Sequence, residues 1–443
     1  MIYYKVLIAI REGHGLSQKA FADMLGCSVD YIRALEGPSK NRDQVTPEFL
    51  NILREKLDLH DAPLTVEEKD QFMEELHRWK DLIDYGEIRK ATALKPELAK
   101  RAKSSFRQGL LALHSIYEAA YYFAVGKPKA FKDTMSYLET LKQGFSERCN
   151  VLYYQQQGAF ALWENRLFDA QVAFIKAEEM DKKSKYSSMI FNYNYGLCLS
   201  YMGYATRAIE YLKKAQYKAK WDKNHEGRAN RRYAVHIEGE LAQNFSKLGN
   251  TDEALLILNN RLNYEMSRSK PRYLGFVYHD FGRVYHRMGK IREALENYYE
   301  AFKYHEEGSV PYLNNTYHKT KALIANGRIC EAMDYVNKGL NMSNDEIWKV
   351  LFDALKHSLS LSNPESREHI IMTAIPNLIR HNQDEEVMDH YKKLSEFYEK
   401  NGDSDKALQY NRLALDIYEK LYKKCVERGL CIRYSRWASS WWR

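Results

Sequence analysis

The segment Phe191–Gln216, FNYNYGLCLSYMGYATRAIEYLKKAQ, predicts two short antiparallel helices joined by a tight turn at Gly203. Two helices approach each other closely only where one offers a small residue to a large residue of the other. The segment provides this combination at helical spacing, with small residues at Gly196, Ala208 and Ala215 and large apolar residues at Tyr195, Leu199, Tyr211 and Leu212.

The same pattern recurs along most of the chain, at intervals of about 34–47 residues. A glycine at the turn between the two helices returns in five repeats, at Gly203, Gly249, Gly289, Gly327 and Gly402. The repeats resemble tetratricopeptide repeats, in which small residues take the same relative positions. We therefore predict an all-α protein whose larger part is a tetratricopeptide-repeat superhelical solenoid with a concave groove. The hairpins at 106–143 and 345–381 are degenerate, and a helix from Asp416 to Gly429 is predicted to cap the stack.

The composition agrees with this prediction. The 443 residues include only 9 prolines and 22 glycines, with 45% hydrophobic and 28% charged residues, which is typical of a globular, mostly helical protein. No segment has 18 consecutive uncharged apolar residues, and charge interrupts the N-terminal sequence too early for a signal peptide. The six cysteines include no CxxC pair, which favours reduced thiols. We expect a cytoplasmic protein without membrane contact.

Residues 1–60 follow a different pattern. Ser17 and Ser28 are predicted to begin two short helices, and Gly26 ends the first of them. The two helices form a helix-turn-helix with flanking helices at about 3–11 and 47–57. The predicted core of this small five-helix domain is Phe21, Leu25, Ile32 and Leu35.

The segment GLSQKAFADMLGCSVDYIRALEG (Gly15–Gly37) resembles the Xre, or lambda-repressor, class of helix-turn-helix domains, with Cys27 in place of the usual valine. This resemblance implies that the second helix enters the DNA major groove and that Arg33 contacts guanine or phosphate. The implied DNA contacts, to bases or phosphates, are Ser17, Gln18, Ser28, Val29, Asp30, Tyr31, Arg33, Ala34, Ser39, Lys40 and Arg42.

Charge limits the DNA affinity of a single domain. Residues 1–60 contain eight basic and eight acidic residues, whereas most DNA-binding modules carry a basic excess that releases counterions. We therefore expect modest affinity for one domain and a homodimer that provides the rest. The alternative is a helix-turn-helix retained for protein interaction.

The remaining boundaries follow from composition. Residues 61–105 are charged and punctuated by Pro63, Gly86 and Pro96, and are predicted to form one or two linker helices. Residues 106–430 form the repeat domain, for peptide binding and dimerisation. The tail at 431–443, CIRYSRWASSWWR, is predicted to be disordered or a remnant of cloning, with a membrane-surface or partner segment as the alternative.

The groove of the repeat domain is predicted from the helix register. Its candidate residues are mostly amides and imidazoles, and amides pair with the N–H and C=O groups of an extended peptide, while Arg283 and Lys321 are suited to a carboxylate. The predicted peptide-binding residues are Gln155, Gln156, Tyr193, Asn194, His236, Glu240, Gln243, His279, Asp280, Arg283, Asn314, Tyr317, His318 and Lys321.

A basic segment lies inside the repeat domain. Eight basic residues fall between 213 and 232, which favours an acidic peptide or protein or, equally, a solvated helix face. They are Lys213, Lys214, Lys218, Lys220, Lys223, Arg228, Arg231 and Arg232.

No catalytic or metal signature was found. The groove histidines have no HExxH spacing, and no GxSxG or Ser/His/Asp pattern occurs. We predict no enzymatic activity, no metal and no cofactor.

An Xre-type helix-turn-helix followed by tetratricopeptide repeats resembles the RRNPP group of peptide-sensing regulators. The resemblance implies a cytoplasmic transcription regulator that binds an inverted-repeat operator in double-stranded DNA as a homodimer. It also implies that a short quorum-sensing peptide in the groove switches its activity. Two alternatives stay open: a Rap-like protein that binds and inhibits a response regulator, or a repressor without peptide control.

Overall fold

The computed structural model describes residues 7–8, 11, 16–36, 47–56, 66–104, 110–181, 183, 185–221, 228–268 and 273–427. Within these ranges the regular elements are helices, and no strand occurs. The chain divides into two units. The first comprises Met1–Gln157 and Ala173–Ser187, and the second comprises Gly158–Val172 and Ser188–Arg443.

The first unit contains the two short helices predicted for the helix-turn-helix and the helices that follow them. Leu7, Ile8 and Arg11 are also helical. Its helices are α1 (Gln18–Leu25), α2 (Val29–Glu36), α3 (Pro47–Lys56), α4 (Val66–Asp84), α5 (Ile88–Ser104), α6 (Leu110–Ala124) and α7 (Pro128–Leu141). Two further helices, α8 (Glu147–Trp163) and α9 (Leu167–Met180), are divided between the units.

The second unit is a series of helical hairpins. Its helices are α10 (Met189–Tyr201), α11 (Ala205–Trp221), α12 (Arg228–Lys247), α13 (Thr251–Met266), α14 (Leu274–Arg287), α15 (Ile291–Phe302), α16 (Val310–Ala325), α17 (Ile329–Met342), α18 (Glu346–Ser358), α19 (Pro364–His369), α20 (Ile375–Arg380), α21 (Asp384–Lys400) and α22 (Ser404–Glu427). A π-helical turn at Ile370–Ala374 joins α19 to α20.

The hairpin α10–α11 forms as its sequence predicts. Ser188 begins α10 by accepting a hydrogen bond from the Phe191 backbone N–H at 3.0 Å. A Cβ atom added at Gly196 would lie 2.9 Å from Cγ of Leu212, so the absence of a side chain lets the helices meet. Tyr195 is fully buried beside them, with its ring centroid 4.4 Å from that of Tyr211.

The turns between helices require a left-handed residue. All five predicted turn glycines, Gly203, Gly249, Gly289, Gly327 and Gly402, have positive φ between 72° and 82°, so this prediction is confirmed. Two further turns use asparagine, because Asn165 and Asn382 both have φ of 55°. Asparagine tolerates this conformation better than other side chains, so the glycine pattern does not mark these two turns.

The two short helices predicted to begin at Ser17 and Ser28 also form. Ser17 Oγ accepts from the Ala20 N–H and Ser28 Oγ accepts from the Tyr31 N–H, each at 3.1 Å. Gly26 ends α1 with φ of 68°. The predicted core residues are confirmed as buried, namely Phe21, Leu25, Ile32 and Leu35. They pack in one cluster with Leu7, Phe49 and Leu53.

The described part of segment 61–105 holds two helices, α4 and α5. Other boundaries differ from the sequence prediction, since Pro96 lies inside α5 rather than at a helix end. No separate capping helix begins at Asp416, because α22 runs unbroken from Ser404 to Glu427. Its apolar side continues across the predicted boundary, where Leu413 and Ile417 pack against one hydrophobic core. The tail at 431–443 lies outside the described residues.

None of the helices in the described ranges combines the length and apolarity that crossing a membrane requires.

Candidate functional sites

A cluster of charged side chains lies on helices α12, α14, α16 and α21 of the second unit. Arg283 stands between two carboxylates, with its Nη1 atom 3.8 Å from Glu240 Oε1 and 3.8 Å from Asp280 Oδ1. All three side chains are mostly buried, so they retain strong mutual attraction. We call Glu240, Asp280, Arg283, Lys321 and Glu386, with their neighbours Lys247 and Glu385, the charged cluster.

Asp280 is held in an unusual environment. Gln243 donates to its backbone carbonyl at 3.1 Å and to Oδ1 at 3.4 Å. Its carboxylate lies directly against the Cα of Gly239, where a Cβ atom would clash with it. Burial raises the pKa of Asp280 to about 7, against the lowering effect of Arg283, and Glu240 adds to the rise. The charge of Asp280 therefore changes near neutral pH.

The first turn of α21 supplies acidic partners to this cluster. Lys321 Nζ donates to Glu386 Oε1 at 3.1 Å, although 65 residues separate them. Burial raises the pKa of Glu385, and the neighbouring charge of Lys247 acts in the opposite direction. Lys247 itself donates to the backbone carbonyl of Ser200 at 2.7 Å. An internal acidic segment thus already occupies basic groups that could bind a carboxylate ligand.

The histidines beside the cluster are neutral at physiological pH. Burial lowers the pKa of His279 to about 3, and Arg283 lowers it further. Burial and the same guanidinium lower the pKa of His318 well below its ordinary range. His279 Nδ1 pairs with Asn315 Oδ1 at 3.0 Å, so this imidazole links two helices as a neutral group.

The predicted peptide-binding residues divide into two sets. Gln156, Tyr193, Asn194, His236, Glu240, Asp280, Arg283, Asn314, His318 and Lys321 are half-buried, and the described contacts bring Glu240, Asp280, Arg283 and Lys321 into the charged cluster. Tyr193 lies near this cluster. Burial raises the pKa of Tyr193, and the charge of Glu240 raises it further.

Four predicted residues are buried in helix packing instead. Gln155 donates to the Tyr186 carbonyl at 3.2 Å, and Gln243 and His279 bond to neighbouring helices as described above. The Tyr317 ring packs 5.8 Å from that of Phe352. These side chains have too little accessible surface for direct peptide contact in this conformation. Gln155 and Gln156 also belong to the first unit, whereas the other candidates belong to the second.

Sequence reasoning missed several members of this neighbourhood. One position, two residues before the turn glycine, recurs in three successive repeats as Tyr201, Lys247 and Arg287. This regular spacing could have identified all three residues from the sequence. Burial and then Glu240 raise the pKa of Tyr201, which places its hydroxyl near the cluster. Glu385 and Glu386 carried no such signal, because they reach the cluster from a helix far along the chain.

The candidate nucleic-acid interface lies on α2. Asp30, Arg33 and Ala34 share one exposed face. The Asp30 side chain is 87% exposed and that of Arg33 is 64% exposed, and the two form an ion pair at 3.0 Å. The one basic residue on this face is therefore already paired with a carboxylate.

Other predicted DNA contacts have structural roles. Val29 packs against the domain core, and the ring of Tyr31 lies edge-on to Phe49 at 5.4 Å. Ser17 and Ser28 begin the two helices. Gln18 donates to Glu36 at 2.7 Å, and Arg11 pairs with the same carboxylate at 2.7 Å. Ser39, Lys40 and Arg42 lie outside the described residues.

The basic segment 213–232 is described only in part. Lys213 and Lys214 are exposed, and their ammonium groups lie over the rings of Phe245 and Tyr211 at 5.4 Å and 4.4 Å. The side chains of Lys220, Lys223, Arg228, Arg231 and Arg232 lie outside the described residues.

Comparison with solved structures identifies the fold. The chain is similar to a Rap protein complexed with competence and sporulation factor, with a TM-score of 0.65, 17% identity and coverage of 80% of this chain and 99% of that chain. It is also similar to NprR in complex with its cognate peptide NprX, with a TM-score of 0.63, 17% identity and coverage of 79% and 99%. The apo form of the quorum sensor NprR from B. thuringiensis gives a TM-score of 0.62 at 17% identity, with coverage of 79% and 99%.

No protein-family model matches the sequence, and no curated protein matches it. The structural neighbours are members of the RRNPP group, which the sequence motifs resembled. At 17% identity the likeness establishes the fold. The predicted all-α repeat solenoid is therefore confirmed.

Proposed function

We propose that the chain is a DNA-binding transcription regulator of the RRNPP type, switched by a short signalling peptide bound at the charged cluster. The observation that carries the proposal is the combination of two units in one chain. One contains a helix-turn-helix with an exposed polar face on α2. The other contains a cluster of mostly buried charges, and about four fifths of the chain has the fold of proteins solved in complex with their peptides.

The cluster favours a charged ligand. Mostly buried ion pairs and hydrogen bonds to charged groups are strong and directional, and their desolvation makes any mismatch costly. Arg283, Lys247 and Lys321 suit a carboxylate, while Glu240, Asp280 and Glu385 suit an ammonium or guanidinium group. A short peptide carries both kinds of group at its ends and side chains. The chemistry therefore favours an extended peptide with at least one acidic group.

Peptide binding and the position of α21 are linked in this proposal. A peptide carboxylate that binds Lys321 competes with Glu386, so it favours a state in which the first turn of α21 has moved. A ligand shifts such an equilibrium only by its differential affinity for the two states, typically about 1–3 kcal/mol. In a homodimer, a change of this size alters how two helix-turn-helix domains fit two half-sites of an inverted-repeat operator.

DNA recognition in this proposal depends on Arg33. It is the one cation on the exposed face of α2, and bidentate contact with guanine is the commonest specific contact of arginine. The neighbouring Asp30 weakens phosphate contacts, which makes the affinity of one domain modest and dimerisation important. Lys40 and Arg42 are proposed to add phosphate contacts.

The test is random-site selection followed by mobility shift, with and without a library of short peptides. We expect an inverted repeat to be enriched and its affinity to change with a charged peptide. Arg33→Ala should abolish the shift, whereas Arg292→Ala, which removes an 84%-exposed arginine from the second unit, should leave it unchanged. Failure of any DNA site to enrich refutes the regulator, and DNA binding that no peptide alters refutes the sensor.

The likeness to a Rap protein favours a second candidate. In that case the chain binds and inhibits a response regulator, and the helices from α4 to α7 supply the contact surface. Pull-down with phosphorylated and unphosphorylated response regulators tests this reading. Loss of that binding on addition of a peptide, in a chain that enriches no DNA site, favours the second candidate.

A further inference from the structure

Three potential metal ligands lie together in the second unit, away from the charged cluster. Asp353 and His357 are one helical turn apart on α18, and His369 is the last residue of α19. Their ligand atoms all lie within 4.8 Å of one another, and they form the one such group among the residues that the structure describes. All three side chains are half-buried, with solvent access to the group.

The two imidazoles converge on a single carboxylate. His369 Nε2 is 2.7 Å from Asp353 Oδ2, and His357 Nε2 is 3.7 Å from Oδ1. The rings stack with centroids 3.9 Å apart and an interplanar angle of 28°, and each Nε2 atom lies within 4 Å of an oxygen of the Asp353 carboxylate. In a tetrahedral zinc site with bonds of about 2.0–2.2 Å, neighbouring ligand atoms lie roughly 3.3–3.6 Å apart. The observed separations fall on both sides of this value.

A neighbouring group orients one of the histidines. His357 Nδ1 lies 3.3 Å from the hydroxyl of buried Ser366. When Nδ1–H donates to this oxygen, Nε2 carries the lone pair that points to Asp353. Histidines that bind metals usually have such a partner on the other ring nitrogen. Ser366 and His369 are three residues apart on α19, so one helix face supplies both the ligand and the orienting hydroxyl.

The backbone next to the site is irregular. The π-helical turn Ile370–Ala374 begins directly after His369, and such wide turns occur frequently at functional sites. The turn keeps Ile370 and Ala374 in the hydrophobic core while His369 faces α18. A shallow cavity of about 280 Å³, lined by Leu340, Lys349, Val350 and Asp353, gives access to the carboxylate.

We propose that Asp353, His357 and His369 bind a divalent transition-metal ion such as Zn²⁺, with one coordination position left for water. Two imidazoles and one carboxylate are the nitrogen and oxygen ligands that zinc prefers, and three protein ligands leave one position open. The ion takes the place of the hydrogen bond between His369 Nε2 and Asp353 Oδ2, and so fastens α18 to α19. Hard ions such as Mg²⁺ prefer oxygen ligands and bind poorly here.

The test uses the full-length protein, stripped of metal and titrated with Zn²⁺ by calorimetry and with Co²⁺ by visible absorption. We expect one equivalent at this site, tetrahedral d–d bands for Co²⁺ and a higher melting temperature with Zn²⁺ but not with Mg²⁺. Because the chain has 14 histidines and six cysteines, variants are needed to assign the binding. His369→Ala and Asp353→Asn should each weaken it at least tenfold.

The matched control is His381→Gln. His381 forms a similar pair with Glu346 at 3.7 Å, outside the three-residue group, so this variant should bind metal as the parent does. Circular dichroism of each metal-free variant verifies folding, and Ser366→Ala, which keeps all three ligands, should weaken binding by about tenfold. Unchanged affinity in folded His369→Ala, or a thiolate charge-transfer band with Co²⁺, would overturn the proposal.

Discussion

Asn165 and Asn382 bind each other's turns across 217 residues of sequence. Asn165 Nδ2 donates to the backbone carbonyl of Asn382, and Asn382 Nδ2 donates to the Glu164 carbonyl at 3.0 Å. Both residues have the left-handed backbone conformation, with φ of 55°. In a repeat protein each hairpin normally contacts only its neighbours. This pair therefore shows that the second unit folds back on itself, and we call it the asparagine clasp.

The clasp should stabilise the second unit measurably. Replacing either asparagine with glycine keeps the left-handed turn and removes the side-chain hydrogen bond. We expect each single variant to lower the free energy of unfolding by about 0.5–1.5 kcal/mol. The double variant should lower the free energy of unfolding by less than the sum of the two single variants. Denaturant unfolding of all four proteins measures this coupling, and strict additivity would show that the two bonds are independent.

Gly196 should not tolerate a side chain. Its Cβ position is 2.9 Å from the fully buried Leu212, so Gly196→Leu forces α10 and α11 apart and should cost about 1–3 kcal/mol or more. Thermal unfolding measures the loss. Gly144→Ala is the matched control, because Gly144 has open space around its Cβ position and is not among the glycines with positive φ. Equal stability of the two variants would contradict the close helix contact.

Asp280 should make stability depend on pH near neutrality. Its pKa is raised to about 7 in the folded protein, so its stabilising contribution is present below the ordinary carboxyl pKa. That contribution is lost as pH rises through 7. Asp280→Asn removes this dependence. The variant should gain stability relative to the parent by on the order of 1–4 kcal/mol between pH 4 and pH 8.

Comparison with the variant separates Asp280 from the histidines, since these act in the opposite direction. The pKa of His279 is lowered to about 3, so its stabilising contribution is present above pH 6.5 and declines as pH falls. The histidine contribution is the same in the parent and in Asp280→Asn, and it cancels in the difference between them. If the difference in unfolding free energy between the two proteins stays flat from pH 4 to pH 8, the effect of Arg283 on the pKa of Asp280 outweighs that of burial.

Removing the internal competitor should strengthen peptide binding. Glu386→Gln frees Lys321 from its carboxylate partner, so an acidic peptide selected from the library should bind about 2- to 10-fold more tightly. Lys321→Gln should weaken the same peptide. Fluorescence polarisation with a labelled peptide measures both effects. Glu296→Gln, at an exposed ion pair with Arg292, should bind as the parent does, and identical affinities in all four proteins would rule out competition at Lys321.

Asp30→Asn should raise DNA affinity. The change removes an exposed anion from the face of α2 and frees Arg33 from its ion pair, so repulsion of phosphate decreases. We expect an increase of about 3- to 10-fold at low salt, declining as salt rises. Glu396→Gln, an exposed acid on α21, controls for net charge. A reduced affinity in Asp30→Asn would indicate that the Asp30 carboxylate contacts a base directly, for example by accepting a hydrogen bond from cytosine.

Local patterns accounted for the fold because the repeats depend on short-range rules. Gly196, the five turn glycines and the core of the helix-turn-helix could be predicted from spacing and capping alone. The two asparagine turns followed the same backbone requirement with another residue type. The continuation of α22 past Asp416 was not predictable locally, because packing of Leu413 and Ile417 on a distant core keeps the helix intact.

The candidate site was less predictable than the fold. Register arguments reached Glu240, Asp280 and Arg283, because these residues lie on neighbouring repeats. They could not reach Glu385 and Glu386, which come from a later helix only after the unit folds back. Helix register also did not point to the proposed metal-ligand group, since His369 comes from a different helix than Asp353 and His357. The role of Asn194 in peptide response stays a prediction.

The asparagine clasp also has a consequence for protein synthesis. At about 5–20 residues per second, the ribosome makes Asn382 roughly 10–40 s after Asn165. Throughout that interval the nascent hairpins can form by local contacts, but the return contact has no partner. The second unit therefore gains this return contact only after Asn382 has been synthesised. A ribosome that stalls before residue 382 holds a chain that lacks this contact.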